Sequence, residues 1–95
     1  MKIFIVDDDS DMIAVMTALL EGEGHHVQSS VAGMTAISEI SAFKPDLLLT
    51  DFVMAQVDGL ALCRELRKRS DFDRMKIIFV FFKVEAYWRE QANDV

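Results

Sequence analysis

The sequence predicts an α/β fold, a doubly wound parallel sheet with helices on both faces, in a single domain. Three observations predict it. Short apolar runs alternate with longer stretches of helical periodicity along the 95 residues. The runs are rich in Ile, Leu, Val and Phe, the character of strands buried on both faces. Two of them, Lys2–Val6 and Asp46–Thr50, end in acid: Asp7-Asp8-Asp9 after the first and Asp51 after the second. The carboxyl ends of parallel strands are where open α/β sheets place their ligands. Strand–helix alternation of this kind implies right-handed crossovers that lay helices against the sheet.

The first strand spans Lys2 to Val6. Asp9 or Ser10 caps the helix that follows, because a short oxygen side chain accepts from free N–H groups there. Met12, Ile13, Val15, Met16, Leu19 and Leu20 form that helix's apolar face. Gly22 or Gly24 ends it with a left-handed residue. His25 to Val31 reads as a more polar strand at a sheet edge. Ala32-Gly33 turns the chain, and Met34, Ile37, Ile40 and Ser41 pattern a short second helix, closed by Pro45. After the central strand, a third helix runs from about Asp58 to Arg69, with Leu60, Cys63 and Leu66 on its buried side. Arg64, Arg67, Lys68 and Arg69 read as its solvated face, and cations in the last turn suit the helix dipole. A polar loop, Ser70 to Arg74, leads to a fourth strand, Lys76 to Phe82, of strong β-propensity. Val84 to Val95 reads as a last helix, with Val84, Trp88, Ala92 and Val95 along one stripe.

Composition bounds the function. The single Cys63 rules out an internal disulfide and fits a reducing, cytoplasmic setting. No apolar run approaches the ~20 residues a membrane helix needs, and the N-terminus has no signal-peptide pattern. The net charge of −6 argues against direct nucleic-acid binding and suits a cation site or basic partners. His25 and His26 have no Cys or acid at ligand spacing and read as ordinary strand residues.

Asp7, Asp8 and Asp51 carry the chemistry. Taken singly, the first two only cap a helix and the third only starts a turn. At the ends of adjacent buried strands, three carboxylates repel one another unless a cation sits between them. Oxygen-only ligands in a compact site suit Mg²⁺.

The motifs Ile3-Phe4-Ile5-Val6-Asp7-Asp8-Asp9, Gly24-His25-His26-Val27, Lys44-Pro45-Asp46-Leu47-Leu48-Leu49-Thr50-Asp51 and Met54-Ala55-Gln56-Val57-Asp58-Gly59 resemble the receiver domain of bacterial two-component response regulators. The resemblance covers the chain from end to end. It implies a flavodoxin-like receiver fold of strand order 2-1-3-4, with the fifth strand and helix missing, so that residues 1–95 make one receiver domain truncated at its C-terminus. It makes Asp51 the acceptor of a phosphoryl group from a sensor histidine kinase or phosphotransfer protein, a phosphoacceptor rather than an enzyme. Asp8 becomes a direct Mg²⁺ ligand, Asp7 a ligand mainly through water, and Val53 a ligand through its backbone carbonyl.

The chain also departs from the family pattern. Phe81 stands at the switch position, where members usually carry Ser or Thr, Phe82 follows where a small residue is usual, and Ala55 replaces a usual Pro. The lysine that pairs with the phosphoryl oxygens has no counterpart, and Lys83 reads as a solvated strand-end residue. Two other readings follow: a degenerate receiver that binds proteins without phosphorylation, and a haloacid-dehalogenase-like phosphatase built on Asp7-x-Asp9. Tyr87 and Trp88 are adjacent and so point to different sides of the last helix, one into the core and the other toward the surface where the family binds partners. A fourth strand left at the sheet edge implies self-association through that strand or the last helix, most simply as a dimer.

Overall fold

The computed structural model describes residues 1–31, 33–51 and 59–80. Four strands form one parallel sheet in the order β2-β1-β3-β4. They are β1 (Lys2–Val6), β2 (His26–Ser30), β3 (Leu47–Asp51) and β4 (Lys76–Val80). Ile3, Phe4, Ile5 and Val6 are all essentially buried, because β1 has a strand on each side and helices on both faces.

Alternate residues supply two cores. Phe4, Val6 and Leu48 point toward α2 (Ala36–Phe43) and α3 (Gly59–Arg67), where Ile40, Phe43, Leu62 and Leu66 close over them. Ile3 and Ile5 point the other way, toward α1 (Ser10–Gly22), and pack with Ile13. Full burial of each large side chain contributes roughly 1.5–3 kcal/mol. The doubly wound parallel sheet expected from the sequence is therefore the observed fold, with the expected strand order.

Both ends of α1 are chemically defined. Asp9 is the N-cap: its Oδ1 accepts from the backbone N–H groups of Asp11 at 3.0 Å and Met12 at 3.3 Å. At the other end Gly24 is left-handed at φ +91°. The Gly24 N–H donates to Glu21 O and the His25 N–H to Leu20 O, a Schellman closure. The helix buries a narrower face than its periodicity predicts. Ile13, Met16 and Leu20 face the sheet, whereas Val15 and Leu19 are 54% and 67% exposed. Apolar residues surround enough of this helix that spacing alone does not pick the inner side.

Two other helices correct the predicted faces. In α2, Ala36, Ile40 and Phe43 are buried, Ile37 is half-buried, and Met34 lies outside the helix and exposed. In α3 the innermost residues are Gly59, Leu62 and Leu66, while Leu60 and Cys63 are half-buried. Leu62 and Leu66 are four apart and share one stripe. Cys63 is rotated about 100° from Leu62 and is not a core thiol.

The loop from α3 to β4 contains a 3₁₀ turn, Ser70–Phe72, that inserts Phe72 into the core. Arg67, expected on the solvated face, holds this loop: its Nη1 donates to Phe72 O and its Nη2 to Met75 O, both at 2.7 Å. Two carbonyls at the spacing of a guanidinium fork favour Arg over Lys. At the foot of the sheet Asp46 ties three strands together. Its N–H donates to Lys2 O, its Oδ2 accepts from Lys2 N at 2.8 Å, and its carbonyl accepts from Lys76 N. β2 starts at His26, one residue later than the sequence pattern indicates, and His25 precedes it. His25 Nδ1 meets the N-terminal amine at 3.0 Å, and His26 stands edge-on to Phe43.

Candidate functional site

The pairing of β1 with β3 builds the site. Val6 sits opposite Thr50 in the parallel register, so the next residues, Asp7 and Asp51, emerge side by side at the carboxyl edge of the sheet. Both are buried, each 3% exposed, and Asp8 beside them is exposed. One carboxylate oxygen from each of Asp7, Asp8 and Asp51 lies within 4.8 Å of the others. The structure thus brings together the three acids that the sequence singled out.

Local hydrogen bonds fix Asp7. Its N–H donates to Ser30 O at 3.2 Å, and its Oδ1 accepts from the Asp9 N–H at 2.9 Å. The first contact ties the acid to the end of β2 and the second to the turn into α1. The Ser30 carbonyl is a positioning group that sequence reasoning missed. Only the register of the edge strand, Val6 against Ser30, reveals it. On β3, buried Thr50 donates its hydroxyl to Asp51 O at 3.3 Å.

Burying carboxylates is costly unless charge or hydrogen bonds compensate. A divalent cation held by these acids would answer that cost. The donors are all hard oxygens, and Mg²⁺ bonds of ~2.1 Å place neighbouring ligands roughly 3–4 Å apart. Oxygens within 4.8 Å of one another approach that spacing. The residues therefore fit Mg²⁺, with Asp8 the exposed member of the three. Asp9 does not join the cluster, because its Oδ1 is turned to the start of α1. That removes the acid pair on which a dehalogenase-like reading depends. Val53, Phe81, Ala55, Phe82, Lys83 and the stretch 84–95 lie outside the described residues.

The family described as the response regulator receiver domain matches residues 3–94. The chain belongs to that family. Among curated relatives, this receiver is 34% identical over 79 residues to the phosphate regulon transcriptional regulatory protein PhoB of Rhizobium meliloti, a match spanning 83% of this chain and 35% of PhoB. It is 35% identical over 71 residues to the response regulator MprA of Mycobacterium avium, spanning 75% of this chain and 31% of MprA. The receiver thus matches about a third of the length of these relatives.

Among solved structures, the receiver domain of a signal transduction histidine kinase from Syntrophus aciditrophicus superposes with a TM-score of 0.77 at 30% identity, over 83% of this chain and 60% of that one. The receiver domain of sensor histidine kinase PA1611 from Pseudomonas aeruginosa, solved with a magnesium ion coordinated in the active-site cleft, gives 0.75 at 27% identity, over 82% and 64%. The chain is thus a receiver domain of two-component signalling by family, and these receivers share its fold.

Proposed function

We propose that this receiver accepts a phosphoryl group on Asp51 from a sensor histidine kinase or a phosphotransfer protein, with Mg²⁺ held by Asp7, Asp8, Asp51 and the Val53 carbonyl. The observation that carries the reading is the meeting of three carboxylates, two of them buried, at the carboxyl edge of β1 and β3. The magnesium in the cleft of the PA1611 receiver supports the choice of ion. In this reading residues 1–95 act as one receiver domain.

The reaction is an in-line displacement at phosphorus. A carboxylate oxygen of Asp51 forms the new O–P bond while the N–P bond of a phosphohistidine donor breaks, and the electron pair returns to the imidazole nitrogen. The product is an acyl phosphate on Asp51. Mg²⁺, when bound, supplies charge neutralisation for the phosphoryl oxygens. The chain's own part is positioning. β3 fixes Asp51 on a rigid element, and the Asp9 N–H and the Ser30 carbonyl hold Asp7 beside it. The domain accepts one phosphoryl group and does not turn over as an enzyme.

A second reading rests on a specific feature of the sequence. Phe81 and Phe82 stand where receivers usually carry a hydroxyl residue and a small one, which favours a module that binds proteins with little or no phosphorylation. Self-association belongs to both readings. Among the described residues β4 pairs only with β3, which leaves its other edge to a second copy of the chain. Among the described residues no helix is long and apolar enough to cross a membrane; a cytoplasmic setting is proposed with the rest. Intact mass with a small phosphodonor separates the two readings.

A further inference from the structure

At the opposite end of the sheet from the acid cluster lies a cavity of about 530 Å³. Its floor is apolar: Leu47 of β3 and Ile78 of β4 on the sheet, with Phe72 and Met75 below them. Leu47 pairs with Lys76 in the parallel register, and Ile78 is two residues beyond Lys76, so all three share one face of the sheet. Three cations line the cavity where the strands begin: Lys44, Arg74 and Lys76.

The charge balance at this rim is unlike that of the whole chain. The chain carries −6 overall, yet among the described residues that line it the cavity gathers three cations and two acids. Both acids are engaged. Asp46 Oδ2 accepts from Lys2 N at 2.8 Å, and Asp71 Oδ1 lies 3.6 Å from Arg69 Nε. Lys44, Arg74 and Lys76 make no ion pair among the described residues. Lys44 is held at the rim by backbone geometry, as the left-handed residue (φ 53°) that closes α2 before Pro45. An apolar floor with cations gathered at one end complements a molecule with an apolar body and an anionic end. The volume lies in the range of small-molecule sites.

We propose that this cavity binds a soluble small-molecule amphiphile bearing a carboxylate. Its apolar body lies along Leu47 and Ile78, and its carboxylate meets Lys44, Arg74 and Lys76. The site is separate from the acid cluster and does not depend on phosphoryl chemistry.

The test is calorimetry on the full chain with decanoate and, in parallel, with uncharged decanol. Amide shifts in NMR locate the contact. The expected result is decanoate binding that shifts the Met75, Lys76 and Ile78 amides, weakens with salt, and exceeds decanol binding by roughly tenfold. Arg74→Glu/Lys76→Glu, two exposed positions, weakens decanoate by a similar factor or more while the circular dichroism stays native. Decanol binding as tight as decanoate overturns the proposal. So does unchanged decanoate affinity in the double variant, or an absence of binding at millimolar concentration. If a second copy of the chain occupies Leu47 and Ile78 instead, sedimentation shows concentration-dependent association and decanoate neither binds nor dissociates it, which also overturns the proposal.

Discussion

Asp7 and Asp51 lie one step beyond the Val6–Thr50 pair, on neighbouring parallel strands, and offer carboxylate oxygens within 4.8 Å of each other. Neither strand makes this site alone. A shift of one residue in the β1–β3 register would turn one of the acids to the other face of the sheet. The buried residues of β1 and β3 hold the register and therefore hold the site.

The first prediction concerns the exposed member of the cluster. Asp8→Asn removes one charged oxygen from the cluster without disturbing the core, since Asp8 is exposed. Titration calorimetry with Mg²⁺ or Mn²⁺ is expected to show affinity reduced by roughly tenfold or more. Equal binding by wild type and variant places the cation elsewhere.

Asp9 supplies a contrasting variant. Its side chain caps α1, and only its backbone N–H touches Asp7. Asp9→Ala is expected to lower unfolding stability by about 1 kcal/mol and to leave Mg²⁺ affinity close to wild type. A large loss of metal affinity at unchanged stability would move Asp9 into the site.

The buried face of α3 gives a third prediction. Leu62→Ala is expected to cost about 2–5 kcal/mol in denaturant unfolding, because Leu62 is fully buried in the larger core. Cys63→Ala, at a half-buried position, is expected to cost about 1 kcal/mol or less. The reverse order would restore the face that the sequence pattern indicates.

Arg67 gives a fourth. Its two 2.7 Å bonds to Phe72 O and Met75 O join α3 to the loop that starts β4. Arg67→Ala is expected to destabilise by about 1.5 kcal/mol, and Arg67→Lys is expected to recover little, since one ammonium does not span two carbonyls. Full recovery by Lys would show that charge, not the fork, is what matters.

These contrasts show what the sequence could carry. The strands were legible because buried parallel strands are continuous apolar runs, and β1 is the clearest of them. The acids were legible because they sit at strand ends, where position alone implies convergence. The faces of α1 and α3 were not. Val15 and Leu19 fit an apolar stripe as well as Ile13 and Leu20 do, and only the sheet decides which side turns inward. Arg67 was not legible either, since its partners are backbone carbonyls that no residue type announces. The Ser30 carbonyl beside Asp7 is hidden for the same reason.

Self-association is the fifth prediction. Sedimentation over a range of concentrations is expected to show a monomer–dimer equilibrium formed through the backbone edge of β4, which among the described residues pairs only with β3, with the Leu47–Ile78 face left free. A monomer at every concentration would end this part of the account.

The central claim is that Asp51 takes up phosphate. Intact mass spectrometry of wild type and Asp51→Asn, each incubated with acetyl phosphate and Mg²⁺, tests it most directly. The account predicts a gain of one phosphoryl group on wild type, slow or short-lived because Phe81 and Phe82 replace the usual hydroxyl and small residues, and none on the variant. A gain that survives Asp51→Asn, or wild type that stays unmodified under conditions where Mg²⁺ binds, would contradict it.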